Sequence, residues 1–255
     1  MAASSFEYRF RFLIHGLLFA IAFAVPALVT PTWPGTEVVP WMTKSTWLIL
    51  STNIARLQWL PFTTASFVLL GILLLFMALG AWFRVWGAAY IGSSIVHSGG
   101  MHSQSMLADG PYRHTRNPLY LGTLLHTLGL ALLVSPVGAL ILVPSIWIFQ
   151  FRLVFAEEPF LAARFGAPYQ EYLRRVPRFL PIPAPQVPAA GARPRWLMAL
   201  AGEIYFVGAL VTVALYGYAF NPQPIRQGLL ISLGLWLVAI ALIPRPKVEE
   251  PATSA

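Results

Sequence analysis

Between Arg84 and Pro181 the polar residues gather in two groups. The first is Asp109-Gly110-Pro111-Tyr112-Arg113-His114-Thr115-Arg116-Asn117-Pro118-Leu119-Tyr120, directly ahead of an apolar run. The second is Arg152 with Glu157-Glu158-Pro159, where the next apolar run ends. Asp109-Gly110-Pro111 reads as a turn, and Pro118 suits the first turn of a helix, where its missing N–H costs nothing. The runs Leu119–Val134 and Val137–Val154 are parted only by Ser135-Pro136, so they must form an antiparallel hairpin. That hairpin returns the second group to the membrane face of the first. Arg116, Asn117, Tyr120, Arg152, Glu157 and Glu158 are therefore expected around one site. Glu157 and Glu158 are two of nine acidic residues, and ionisable groups at the edge of an apolar segment are costly unless paired or used. They either serve a ligand or pair with Arg152 and Arg116 to fasten the hairpin.

The elements that must position these groups follow from composition. Of 255 residues, 57% are hydrophobic and 10% charged, with a mean hydropathy of +0.67. Soluble domains carry about 25% charged residues, so much of this surface must face lipid. The formal charge of +8 is scattered among apolar runs, without a basic helix or basic-aromatic stripe, which argues against nucleic acid. With no cysteine, disulfides, thiolate metal sites and cysteine nucleophiles are excluded. His97, His102 and His114 share no helix face, so they read as loop histidines and no metal site is expected.

A helical span needs about 20 apolar residues. Phe10–Val29, Leu60–Trp86, Leu119–Val134, Val137–Val154, Trp196–Phe220 and Gly228–Ile243 give about six. Ala22-Phe23-Ala24 has the form of a signal-peptide cleavage site, but the run continues to Val29 and reads as a span. Trp47 to Leu60 is expected in the interface, where tryptophan is enriched. With both termini in the cytoplasm, fourteen of the 17 Lys and Arg lie on the cytoplasmic side, leaving Lys44, Arg56 and Arg226 opposite. That bias sets the orientation. Pro159–Arg175 reads as an amphipathic surface helix after span four, a roof over a pocket or a simple anchor. The expected fold is thus an all-α integral membrane protein in four parts. These are N-terminal helices (1–83), a core with the hairpin and site (84–181), a Pro-rich linker, ordered or loose (182–195), and a C-terminal hairpin and tail (196–255).

Gly110-Pro111-Tyr112, Arg116-Asn117-Pro118-Leu119-Tyr120-Leu121-Gly122, and Glu157-Glu158 with Leu161, Phe165-Gly166, Tyr169, Tyr172 and Val176-Pro177 come in order at consistent spacing. The pattern resembles the isoprenylcysteine carboxyl methyltransferase and phospholipid methyltransferase superfamily, over about 95 residues. The resemblance implies S-adenosylmethionine as cofactor, held without a Rossmann domain. By it, Tyr112, Asn117, Pro118, Leu119, Tyr120 and Glu157 would line the donor pocket. Gln104, Ser105, Met106 and Leu107 would contact the adenosine, with His97 joining from the preceding loop. Arg152 would face the acceptor, with Glu158 and Arg116 beside the reacting groups. The substrate would be a lipophilic or lipid molecule drawn from the bilayer, methylated at a carboxylate or another heteroatom, with the site at the cytoplasmic face. Two departures bear on this. Asn117 stands where the family has histidine, so that position cannot titrate, and the early spans and the last hairpin are not matched.

The chemistry agrees with that implication. A sulfonium donor is balanced by carboxylates, and in-line methyl transfer to a carboxylate rests on alignment and on stripping water from the nucleophile. Two alternatives stand beside it. Membrane sterol-type reductases share a similar Arg-x-Pro-x-Tyr stretch and use NADPH. A transporter would show mid-span ionisable residues or broken helices. His126 is the one such residue in mid-span, and His15 and Glu203 lie nearer the ends; a buried hydrogen-bonded side chain is expected for each.

Overall fold

The computed structural model describes residues 2–29, 45–91, 109–219 and 222–242, and among them every regular element is a helix. In chain order these are α1 (Ser5–Arg9), α2 (Arg11–Val29), α3 (Thr46–Arg56), α4 (Phe62–Ile91), a 3₁₀ turn (Gly110–Arg113), α5 (Pro118–Leu133), α6 (Pro136–Phe165), α7 (Ala167–Arg175), α8 (Trp196–Gly202), α9 (Ile204–Tyr216), a second 3₁₀ turn (Gly217–Ala219) and α10 (Pro222–Leu242). Helix forms over each of the six apolar runs. By length and composition, Phe62–Ile91, Pro136–Phe165 and Pro224–Leu242 can each cross a membrane. Trp196–Gly202 with Ile204–Ala219 makes a fourth if that bent pair is one span, and Arg11–Ala24 and Pro118–Leu133 are shorter apolar helices. Apolar side chains cover their outward faces, among them Leu13 and Leu17 of α2, Leu75 and Trp82 of α4, and Leu140 and Ile148 of α6. An exposed apolar girdle of this extent is a lipid-facing surface.

The hairpin α5–α6 packs against α4. Ser135 caps α6 by accepting the Gly138 N–H at 3.1 Å, and Pro136 occupies the first turn. Helices α4 and α5 approach through small residues. A Cβ on Gly122 would lie 2.7 Å from the Gly80 carbonyl oxygen, and one on Gly80 2.8 Å from that of Gly122. Such contact lets the backbones meet where lipid supplies no hydrophobic drive for association. Leu73, Met77, Leu130, Leu133, Leu142 and Ile146 form the core behind that contact. Helix α2 runs antiparallel along α6, bringing Tyr8 to Glu157 and His15 to Gln150.

Two expectations change and two gain detail. Trp47, at the start of the stretch expected in the interface, is fully buried, its indole N–H donating to the Ser66 carbonyl at 2.8 Å, whereas Trp59 near its end is exposed. The surface helix is shorter than Pro159–Arg175, because α6 continues through Pro159 to Phe165 and breaks at Gly166, where φ is 61°. Only the N–H of Pro159 is lost, and the remaining ladder carries the helix on. The run Trp196–Phe220 is bent by 72° between α8 and α9, at Glu203, whose carboxylate turns to Arg84. The Pro-rich stretch is tied along the 109–116 segment: Arg116 N–H donates to Pro177, Ile182 N–H to His114 and Gln186 N–H to Arg113. Its ordering has a cause in Asp109, whose buried carboxylate accepts the Ala190 and Ala192 N–H groups at 2.8 and 2.7 Å.

Candidate functional site

Adjacent residues on a helix project about 100° apart, so Glu157 and Glu158 cannot share an environment. Glu158 is buried. It accepts three N–H contacts from Arg178 at 3.1, 3.2 and 2.7 Å, with Arg116 at 3.4 Å and the Asn117 amide at 3.5 Å. Asn117 also donates to the Arg178 carbonyl at 3.1 Å. The hydrogen bonds that Arg178 donates to Glu158 raise its pKa. This cluster fastens the start of α5 and the stretch after α7 onto α6, with Arg116 and Arg178 as the partners of Glu158 and Arg152 not among them.

Glu157 turns the other way. Its Oε2 accepts the Tyr120 hydroxyl at 2.9 Å, and Oε1 is 3.5 Å from the Tyr8 hydroxyl. Burial pushes the Tyr8 phenol up, keeping it a neutral donor. Glu157, Tyr120, Tyr8 and Leu119 line a cavity of about 670 Å³, within the range of about 300–1,000 Å³ that accommodates one small ligand. Arg11 joins them at this polar end. It is buried, donates to the Tyr8 carbonyl at 3.0 Å and stacks over the Tyr8 and Phe12 rings at 4.5 and 4.7 Å. The walls beyond are largely apolar, with Phe19 and Phe23 of α2 and Leu229, Leu233 and Trp236 of α10, and Arg226 of α10 lines the cavity beside them. The C-terminal hairpin is therefore a wall of the cavity.

Arg84 also lines the cavity. Glu203 accepts its Nε and Nη2 at 2.8 Å each, and Thr123 lies 3.3 Å from Nη1. Glu203 is fully buried and Arg84 nearly so. This pair holds the kink between α8 and α9 against α4. His126 departs from expectation. It sits between Phe206 and Tyr205, ring centroids 4.7 and 5.6 Å away, with neither ring nitrogen hydrogen-bonded among the described residues.

The structure therefore brings together Leu119, Tyr120 and Glu157 of the residues singled out from the sequence. It places Arg116, Asn117 and Glu158 in the neighbouring ion cluster. Pro118 starts α5 against Gly87. Tyr112 is buried and holds α7, its carbonyl accepting the Tyr172 hydroxyl at 2.8 Å; burial raises both phenols. Arg152 does not join the pair of glutamates. Its guanidinium makes contacts of 3.2, 2.9 and 2.8 Å with Glu7, which lowers the Glu7 carboxyl to about 2. The reason is the N-terminal helix. Ser4 and Glu7 form a capping box, and the Ala3 N–H docks on the Arg152 carbonyl at 2.8 Å. His97, Gln104, Ser105, Met106 and Leu107 lie outside the described residues. Tyr8, Arg11, Gln150 and Arg178 were not singled out from the sequence, and His15 only as a hydrogen-bonded side chain, which it is. Tyr8, Arg11 and His15 recur at three- and four-residue intervals from α1 into α2, the signal of a shared polar stripe; Arg178 carried none.

Residues 67–168 match the phospholipid methyltransferase family, a stretch from α4 to the start of α7. The chain is 29% identical over 111 residues to the protein-S-isoprenylcysteine O-methyltransferase of Schizosaccharomyces pombe, covering 42% of this chain and 47% of that protein. It is 29% identical over 142 residues to the cobalt-zinc-cadmium resistance protein CzcN of Cupriavidus metallidurans, covering 55% of this chain and 62% of that protein. The chain thus spans about half to under two thirds of the length of these relatives. No solved structure matches it.

Proposed function

We propose that the chain, whose residues 67–168 match the phospholipid methyltransferase family and which resembles an isoprenylcysteine O-methyltransferase, is an S-adenosylmethionine-dependent membrane methyltransferase acting on a lipophilic acceptor. The observation that carries this reading is Glu157: a carboxylate inside the matched stretch, held by two phenols on the wall of an apolar cavity. A carboxylate with aromatic rings around it suits a sulfonium cation, through charge and ring faces together. Glu157, Tyr120 and Leu119 would hold the donor, with Tyr112 and Asn117–Pro118 shaping the loop behind them and 104–107 and His97 completing the adenosine side. When bound, S-adenosylmethionine supplies the electrophilic methyl group. The residues of this chain orient the acceptor and exclude water; no general base is required for a carboxylate acceptor. Because Arg152 is held by Glu7, the cation facing the acceptor head in this proposal is Arg11, with Arg116 and Glu158 acting by position. In this proposal the chain crosses the membrane six times with both termini and the site at the cytoplasmic face, a reading the distribution of Lys and Arg supports.

The test is calorimetric titration of purified protein with S-adenosylhomocysteine, with NADPH in parallel. Micromolar binding of the first that disappears in Glu157→Ala supports the proposal. NADPH binding with no response to S-adenosylhomocysteine would transfer the chain to the reductase reading. A transporter reading has one observation in its favour, the broken helix at Glu203, but Arg84 neutralises that carboxylate and ties the break to α4.

A further inference from the structure

Among the described residues, Arg11, Arg84 and Arg226 line the cavity, and they are placed differently. Arg226 is exposed, at the far end. It precedes Trp236 by ten residues on α10, about 15 Å, and the Trp236 ring lies 6.2 Å from the ring of Phe12, which follows Arg11. Arg11 stands at the polar end with Glu157. Arg84 enters from α4 beside Thr123, which is three residues and about 4.5 Å along α5 from Tyr120.

Arg84 is more than a brace for the bend at Glu203. Glu203 takes Nε and Nη2 at 2.8 Å each and has no accessible surface, so that side of the guanidinium is closed. Nη1 is on the other side. Its contact is the Thr123 hydroxyl at 3.3 Å, long for a charged donor, and that hydroxyl itself donates to the Leu119 carbonyl at 3.2 Å. A guanidinium carries five N–H donors, two of them on Nη1, so one Nη1 N–H has no acceptor among the described residues. Unlike its counter-ion, the Arg84 side chain keeps 11% of its surface accessible, and it lines the cavity. This group can be reached by a ligand, and it can only donate. Charge then decides the class of ligand. At the polar end Arg11 and Arg84 stand against Glu157 and Glu203, so the two signs balance among the described residues. A sulfonium donor adds one positive charge. An acid group on the acceptor restores the balance, whereas an ammonium compounds the excess where the dielectric is low and like charges repel strongly.

We infer that the acceptor is an acidic amphiphile, and that Arg84 selects it by donating from Nη1 to an oxygen of its acid group while Glu203 holds the guanidinium from behind. This rests on the methyltransferase reading for the charge of the donor, and on Arg84 and the cavity alone for the acid. Arg84 is a specificity contact and Glu203 its counter-ion. Glu203 lies beyond the stretch 67–168 matched to the family, so the contact is completed by the C-terminal hairpin of this chain.

The experiment uses the full chain, immobilised in detergent, with radiolabelled tetradecanoate bound and read by scintillation proximity. S-adenosylhomocysteine is present to fill the donor end. Unlabelled tetradecanoate, tetradecanol and tetradecylamine, which share one chain and differ in the charge of the head, are the competitors. The acid should compete at about tenfold lower concentration than the alcohol or the amine, the effect of one hydrogen bond from a charged group. The double variant Arg84→Met with Glu203→Ala strands no charge and should erase that lead while the alcohol competes as before. Arg84→Lys keeps the charge beside Glu203 but has no Nη1, and should lose most of the lead as well. Arg226→Gln should keep it. Equal competition by acid and alcohol in the wild type overturns the inference, as does a lead for the amine, a lead that survives in both Arg84 variants, or one that disappears in Arg226→Gln. A lead of acid over alcohol in protein that does not bind S-adenosylhomocysteine would overturn the methyl-transfer reading alone.

Discussion

The two glutamates of α6 offer the sharpest perturbation, since the same conservative change should act on different properties at each. Glu158→Gln removes the charge between Arg178 and Arg116. Breaking a buried ion pair costs about 3–5 kcal/mol when a charge is left stranded. Arg116 is 11% exposed and is stranded; Arg178 is 40% exposed and regains water. The expected loss is therefore below that range, about 2–3 kcal/mol, or about 4–12 °C in unfolding temperature for a chain of this size. Glu157→Gln keeps an oxygen acceptor for Tyr120 and costs about 1 kcal/mol or less, but it removes the charge proposed to face the donor. Thermal unfolding followed by size-exclusion chromatography measures the first effect, and calorimetric titration with S-adenosylhomocysteine the second. Glu158→Gln should lose stability and, below its new midpoint, still bind; Glu157→Gln should keep its midpoint and lose binding at least tenfold. The division of labour is refuted if the two variants exchange these behaviours, or if Glu158→Gln unfolds at the wild-type temperature.

Three further outcomes follow from other contacts. Glu203→Ala strands Arg84 in the cavity wall and should destabilise by about 3–5 kcal/mol; adding Arg84→Met should recover most of that, and a double variant no better than the single would contradict a paired role. Gly80→Val places a side chain against the backbone of α5, where a Cβ already meets the Gly122 oxygen at 2.8 Å; a loss of about 1–3 kcal/mol is expected, checked against Gly71→Val, whose Cβ meets nothing within 4 Å. The Glu7 carboxyl is lowered from its ordinary 4.5 to about 2, chiefly by its hydrogen bonds from Arg152. Its contribution is thus fully present above pH 4.5 and lost as pH falls through 2, with partial loss between. Hydrogen exchange at the Ala3 amide, docked on Arg152, should stay slow at pH 4 and speed up in Arg152→Met. Exchange already fast at neutral pH in the wild type would show that α1 is not held there.

The sequence by itself determined the helices and their pairing. Apolar runs long enough to be helical, parted by Ser135-Pro136, leave one way for α5 and α6 to lie, and the ordered motifs from Gly110 to Pro177 carry the resemblance to the methyltransferases. These are local or one-dimensional facts, set by spacing along the chain. What only the tertiary structure decided is which way each polar group faces. The helical period separates Glu157 from Glu158 by about 100°, yet it does not say that Tyr8, far away in the chain, takes one and Arg178 the other. Arg152 shares α6 with the two glutamates, but a capping box at Ser4 presents Glu7 to it first. Glu203 looks like an end-of-span residue until α8 and α9 bend around its bond to Arg84. In each case a buried charge goes to the nearest partner that can desolvate with it, and that partner comes from a helix whose packing no spacing rule specifies.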